Sequence, residues 1–203
     1  MVEVLTGGGL SASAGLNAYI PLLTLGALAR WTSAVELPAG WQWLSDGWVL
    51  LILALLLAVE VVADKVPVVD HINDVVQTVI RPTAGGLAFG AGSASETVTV
   101  SDPAAFFGSH QWVPVAAGVL IALAVHGLKA ASRPVVNATT AGVGAPVVST
   151  AEDISSVVLS VLAILLPALV LIALVAFVLC AIWVIRRRRR RKRARVPVEA
   201  VRQ

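Results

Sequence analysis

The sequence predicts an all-α fold: a polytopic helical membrane protein with four long spans and two short Gly/Pro-interrupted membrane segments. Hydrophobic residues make up 58% of the 203 positions, whereas a soluble domain has about 45–50% apolar residues. Only 13% of the residues are charged, too few to coat a soluble domain, and the mean hydropathy is +0.87. Several uncharged runs are long enough to cross a hydrocarbon core of about 30 Å.

The first predicted span runs from Val4 to Ala29, and Arg30 with Trp31 closes it as an interfacial pair. Glycines and Pro21 interrupt this run. Two interpretations are open. The small residues allow neighbouring helices to approach closely, or the helix is broken and its freed backbone lines a polar cavity together with Asn17.

The second predicted span, Gly47 to Asp64, follows a tryptophan-rich loop of the kind found at membrane interfaces. Glu60 and Asp64 are four residues apart and share one helix face. Glu60 lies about 20 Å along this helix. Its carboxylate therefore needs a cation, a proton or water, because desolvation disfavours the charged form. Lys65, Arg81 or a later basic residue is the predicted partner.

The segment Ala58 to Pro82 carries the densest group of charges outside the C-terminal tail, at Glu60, Asp64, Lys65, Asp70, Asp74 and Arg81. Asp70 to Ile80 has an amphipathic helical pattern suited to the membrane interface or to packing against a bundle. Asp70 and Asp74 form a like-charge pair at helical spacing, which invites a cation. A solvated face and an ion or solute site with Gln77 are the main alternatives, and a metal site using His71 is the weakest.

The third long span is predicted from Trp112 to Leu128, near His126 and Lys129. The two short segments are 82–95 and 134–150. A shift of 52 residues aligns Arg81 to Gly92 with Arg133 to Gly144, with Arg, Pro and two glycines matching. This pattern suits an internal duplication of the transporter type, in which such segments mark the binding site.

The last span is predicted from Ile154 to Ile185, with Glu152 and Asp153 at its N-terminus, where carboxylates stabilise a helix. At about 48 Å of helix it must tilt, kink at Pro167 or project. A basic tail, 186–203, follows the membrane domain, 1–185, and contains most of the 15 basic residues. The positive-inside rule places this tail in the cytoplasm, where it is expected to contact anionic lipid rather than nucleic acid.

Three stretches, GLNAYIPLLTLGALAR (15–30), ADKVPVVDHINDVVQTVIRP (63–82) and HGLKAASRPVVNATTAGVGAPVVSTAED (126–153), resemble the bacterial membrane family called domain of unknown function 4126. The resemblance implies a multi-pass protein of the bacterial inner membrane and assigns no activity. It emphasises residues that the charge pattern also selects. The candidate ion or solute site comprises Asn17, Glu60, Asp64, Lys65, Asp70, Asp74, Gln77, Arg81, His126, Lys129, Arg133, Asn137, Glu152 and Asp153.

The leading functional hypothesis is a small transporter or channel for an ion or solute, working as a homo-oligomer. The sequence lacks the motifs of serine hydrolases, phosphate-binding loops and zinc proteases. We therefore expect no enzyme activity, no catalytic residue, no metal and no cofactor. Two alternatives remain: a non-transporting scaffold with structural charge pairs, and a protein that handles lipid headgroups through its basic residues.

Overall fold

The computed structural model describes residues 2–65, 67–93, 112–140, 143–170, 172 and 175, and gives only the backbone for 67–72. The chain divides into two compact units, 1–170 and 171–203, and the fold below is that of the first. Its helices are α1 (Val2–Leu16), α2 (Tyr19–Trp31), a 3-10 helix (Ala39–Ser45), α3 (Gly47–Ala63), α4 (Pro67–Gly92), α5 (Trp112–Thr140) and α6 (Ala145–Leu165). The basic tail lies outside the described residues.

Helix α1 is the central element, because it packs against α4, α5 and α6. Residues 7–15 of this helix are all buried. A side chain at Gly9 or Gly15 would collide with Ala163 or Val125. The small residues of the first predicted span therefore allow close helix approach, as one interpretation held.

The first predicted span is also broken, as the other interpretation held. Helical geometry stops after Leu16 and resumes at Tyr19. The Asn17 side-chain oxygen accepts hydrogen bonds from the backbone N–H groups of Tyr19 and Ile20, at 3.1 Å and 3.3 Å. These bonds satisfy donors that the first turn of a helix leaves without partners.

The helices bury polar residues and expose apolar ones, the reverse of a soluble fold. Helix α3 buries only Leu50 and Glu60. In α4, Val75 and Val79 are 70% and 71% exposed, whereas Arg81 is fully buried. The amphipathic segment predicted at Asp70 to Ile80 therefore turns its polar face inward. This arrangement suits lipid around the bundle.

Two described helices, α5 and α6, are long and apolar enough to cross a membrane, and α3 with the preceding 3-10 helix forms a third candidate bent by 60°. The protein is thus a helical membrane protein with two to three candidate spans in its described part. The predicted four long spans are not all present there. The first is divided at Asn17, and the end of the last lies outside the described residues.

The two short membrane segments do not form as separate elements in the described part of the chain. Residues 82–92 continue α4 through Pro82, and 134–150 is divided between α5 and α6. A membrane helix tolerates proline where neighbouring groups re-satisfy the backbone. The glycines of these segments serve packing instead: Gly85 of α4 lies directly against Gly118 and Ala122 of α5.

The prediction that Glu152 and Asp153 lie at the N-terminus of the last helix is wrong. Helix α6 begins at Ala145, with a proline in its first two positions, where the missing N–H costs nothing. Both carboxylates therefore lie in the helix interior. The chain leaves helical geometry at Leu166, directly before Pro167, the residue at which a kink was one of the expected outcomes.

Candidate functional site

The carboxylate of Asp64 is the centre of a buried charge network. Its Oδ2 atom lies 3.3 Å from Lys129 Nζ and 3.1 Å from Arg133 Nη2. Its Oδ1 accepts a hydrogen bond of 2.8 Å from the Asn73 amide. Asp64 follows the last residue of α3, and its side chain is 1% exposed. One acid thus joins α3 to α4 and α5 in the interior.

Arg81 forms the second part of the network, between Glu60 and His126. Its Nη2 donates to Glu60 Oε1 at 2.8 Å, and its Nη1 lies 3.1 Å from His126 Nδ1. The other ring nitrogen, Nε2, is 3.1 Å from the Thr78 hydroxyl. Arg81 and Glu60 are 0% and 1% exposed. A buried carboxylate is stable only when paired. Arg81, one of the partners predicted for Glu60, forms that pair.

Lys129 connects the network to the break in the first span. Its ammonium donates to the Leu16 carbonyl at 3.0 Å and pairs with Glu152 Oε2 at 3.0 Å. Leu16 is the last residue of α1, and a helix C-terminus favours a cation. The carbonyl freed by the break is therefore used by a charged residue of the site.

Asn17 brings Asp153 to the same break. The Asn17 amide donates to Asp153 Oδ1 at 3.0 Å while its oxygen caps α2. Among the described residues, salt bridges join Arg81, Lys129 and Arg133 to Glu60, Asp64, Asp74 and Glu152, but not to Asp153. Asp153 is therefore held by an amide where the neighbouring acids are held by cations.

Asp74 has the loosest ion pair of the network. Its Oδ2 atom is 3.9 Å from Arg133 Nε, while Arg133 Nη2 is committed to Asp64 and Glu152 at 3.1 Å and 3.2 Å. Asp74 also lines a cavity of about 280 Å³ between α4 and α5, together with Asn137. This cavity gives the charge network an opening toward the surroundings.

Asp64 and Asp74, which lie outside the candidate spans, differ in proton affinity. Burial opposes ionisation of Asp64, but Lys129, Arg133 and Arg81 together hold its pKa below the usual value. At Asp74, burial has a larger effect than the attraction of the Arg81 and Lys129 charges, so the pKa of this carboxyl is raised. Asp74 thus takes up a proton more readily than Asp64.

The structure brings most of the predicted site residues together. The network contains Asn17, Glu60, Asp64, Asp74, Arg81, His126, Lys129, Arg133, Glu152 and Asp153. Gln77 is buried at its edge, and Asn137 lines the cavity. The Lys65 ammonium donates to the Val61 carbonyl of α3 at 3.1 Å, and none of the salt bridges among the described residues includes it. The side chains of Asp70 and His71 lie outside the described residues.

Sequence reasoning did not select three residues that the structure places in the network, and the first is Asn73, the amide partner of Asp64. Thr78 contacts His126, and the Leu16 carbonyl accepts from Lys129. Thr78 lies one helical turn from both Asp74 and Arg81, and this spacing is a usable signal. No sequence pattern identifies the Leu16 carbonyl.

The donor set is suited to ion pairing and not to a tightly bound transition metal. Within the described residues, no group of three or more His, Cys, Asp or Glu is arranged to hold a metal ion. The carboxylates instead alternate with guanidinium and ammonium groups. Such an arrangement can bind a monovalent cation, a proton or a charged solute where an acid lacks a close cation.

Comparison with known proteins yields one match. A family model described as a domain of unknown function (DUF4126) matches residues 4–187. The comparison with curated proteins finds no match, and neither does that with solved structures.

Proposed function

The chain belongs to the family described as domain of unknown function DUF4126, and from that premise we propose that it is a small membrane transporter or channel for an ion or small solute. The observation that carries this proposal is the excess of carboxylates in the buried network. Five described acids (Glu60, Asp64, Asp74, Glu152 and Asp153) share the three cations Arg81, Lys129 and Arg133, and Asp153 forms no salt bridge with any of the three. Ionisable groups in a membrane bundle are costly, so an unmatched acid favours a functional role.

The broken first span supports the same proposal. Discontinuous helices in transporters present helix ends and freed backbone groups to their substrates and coupling ions. Here the C-terminal end of α1 meets Lys129, and the start of α2 is capped by Asn17, which also holds Asp153. The two helix ends thus lie close to Asp153, the acid of the network that has no salt bridge among the described residues.

In this proposal, the carboxylates take different roles. Glu60 and Asp64 form close salt bridges with Arg81, Lys129 and Arg133, so these two acids hold the bundle together. Asp153 and Asp74 accept the exchangeable cation or proton. Among the described residues, Asp153 has only the Asn17 amide as its partner, and the cation nearest to Asp74 Oδ2 is Arg133 Nε at 3.9 Å. This assignment places the exchange step at Asp153 and Asp74 and not at Glu60 and Asp64.

The test is a flux assay on the purified full chain in sealed vesicles. Proton, Na⁺, K⁺ or ammonium gradients are imposed, with a pH dye inside and the membrane potential clamped. We expect flux above empty vesicles for at least one gradient, and a loss of at least tenfold in Asp153→Asn. Glu36→Gln, an exposed acid outside the network, is the matched control. Unchanged flux in correctly folded Asp153→Asn contradicts the proposed role.

The scaffold alternative rests on the close pairing of Glu60 and Asp64. Each has a cation within 3.3 Å and almost no exposure, as expected for purely structural pairs. Asp153→Asn distinguishes the two functions. A scaffold held by the Glu60–Arg81 pair keeps its cellular role in this variant, whereas the proposed transporter loses flux.

A further inference from the structure

The cavity between α4 and α5 has the properties of a small ligand site. It encloses about 280 Å³, near the lower end of the range of about 300–1,000 Å³ for ligand pockets. Asp74, Asn137 and Arg133 supply its polar wall, and Val75, Ala130 and Pro134 supply its apolar wall. A water molecule occupies about 30 Å³ in the liquid, so the space accommodates more than a single water.

Two hydrogen-bond acceptors in this cavity lack partners. Asp74 Oδ1 and Asn137 Oδ1 are both buried and have no hydrogen-bond partner among the described residues. A buried acceptor without a partner costs about 1–3 kcal/mol. Because Asp74 and Asn137 both line the cavity, a ligand in it that donates hydrogen bonds can satisfy both atoms.

The acceptors around the cavity favour a ligand with N–H donors. Arg133 Nε lies 3.9 Å from the other carboxylate oxygen of Asp74, which leaves the Oδ1 side for the ligand. The Thr78 hydroxyl is engaged elsewhere, because it donates to the Asp74 carbonyl at 2.8 Å and contacts His126. The Arg133 guanidinium also lines the cavity, so a cationic ligand depends on the Asp74 carboxylate to offset that positive charge.

A bare metal cation fits this site less well than an ammonium group. Ions such as Mg²⁺ and Ca²⁺ require about six to eight oxygen ligands, whereas the described residues offer two unpartnered oxygens. An ammonium group needs only one acceptor for each N–H, and its carbon substituent can contact the apolar wall at Val75 and Pro134.

We propose that Asp74 and Asn137 bind the primary ammonium group of a small amine or of an ethanolamine lipid headgroup. The inference names the substrate class for the proposed transport function and in that sense rests on it. Binding is measured separately from flux, so the two proposals fail independently. A chain that binds an amine without moving it keeps this inference and contradicts transport.

The experiment measures the Tm of the full chain in phosphatidylcholine nanodiscs by intrinsic fluorescence, since the chain has six tryptophans. The probe is methylammonium chloride, and tetramethylammonium and sodium chloride at equal ionic strength are the reference salts. We expect a saturable rise in Tm with methylammonium alone. Tetramethylammonium carries the same charge but no N–H donor.

Asn137→Leu is the test variant, because it removes one acceptor and leaves every ion pair intact. We expect it to weaken methylammonium binding at least tenfold. Thr139→Val is its matched control on the same helix, since Thr139 is exposed and its hydroxyl bonds its own backbone. Asp74→Asn is the second variant, for use if Asn137→Leu does not fold. It is also expected to weaken methylammonium binding at least tenfold.

A second series in phosphatidylethanolamine nanodiscs distinguishes the two sources of the ammonium group. A Tm already raised in this lipid, lowered by Asn137→Leu and little changed by methylammonium, identifies the headgroup as occupant. A full methylammonium response in this lipid identifies a free amine. The proposal is overturned if neither lipid nor probe changes Tm, if sodium or tetramethylammonium acts equally, or if both variants leave the response unchanged.

Discussion

Arg81 and Arg133 approach the same carboxylate oxygen of Asp64 from two different helices, at 3.7 Å and 3.1 Å. Each arginine directly precedes a proline inside its helix, Pro82 in α4 and Pro134 in α5. The two Arg-Pro pairs are those aligned by the 52-residue shift in the sequence. The internal duplication stays a prediction, but the matched arginines have one shared partner.

Asp64→Asn is expected to destabilise the protein more than a change at any single surface acid. The variant leaves Lys129 and Arg133 buried without their central anion, and breaking a buried ion pair costs about 3–5 kcal/mol. Unfolding of the full chain in detergent by denaturant measures the change. Glu36→Gln, which removes an exposed carboxylate, should stay within about 0.5 kcal/mol of wild type. Equal stability of the two variants contradicts the central position of Asp64.

The two lysines predicted for the site should differ sharply on neutralisation. Lys129 contacts Asp64, Glu152 and the Leu16 carbonyl, so Lys129→Gln should cost about 3–5 kcal/mol of unfolding free energy. Among the described residues, the Lys65 ammonium hydrogen-bonds only the Val61 carbonyl, so Lys65→Gln should cost less than about 1 kcal/mol. The same denaturant assay measures both variants. A Lys65→Gln loss as large as that of Lys129→Gln places Lys65 in the network after all.

Gly118→Ala should disrupt the packing of α4 on α5. A Cβ at this position would lie 2.6 Å from Phe89 Cβ and press on the Gly85 carbonyl, and overpacking typically costs about 1–3 kcal/mol. The matched control on the same helix is Gly127→Ala, which meets no atom within 4 Å. That change should be neutral or stabilise by up to about 1 kcal/mol. The heat-unfolding Tm in detergent should therefore fall for Gly118→Ala and stay level or rise for Gly127→Ala, and an equal fall in both variants contradicts the packing.

Ordered water is expected beside Glu60, Gln77 and Arg81. Glu60 Oε2, Gln77 Oε1 and Arg81 Nε are buried and have no hydrogen-bond partner among the described residues. Buried water typically satisfies such groups with about three hydrogen bonds each. A high-resolution map of the protein in nanodiscs should show water within hydrogen-bond distance of at least one of these atoms. A dry interior there weakens the transporter proposal and favours the scaffold.

Much of the fold class followed from the sequence because composition and charge spacing are local properties. Low charge and long apolar runs predicted membrane helices, and the spacing of Glu60 and Asp64 placed both carboxylates on one inward face. A break in the first span was one of two interpretations, because glycines and Pro21 interrupt that run. These inferences required no knowledge of which helices are neighbours.

Only the tertiary structure decided how the charges pair. Asp64 lies 65 residues from Lys129 and 69 from Arg133 along the chain, and Asn17 lies 136 from Asp153. Such partners depend on the helix register set by close glycine contacts such as Gly85 against Gly118. The sequence by itself determined that buried carboxylates need partners, because an isolated charge is unstable in a low-dielectric interior. Packing alone decided that Glu60 and Asp64 pair with cations, that Asp153 pairs with an amide, and that Asp74 lines an open cavity.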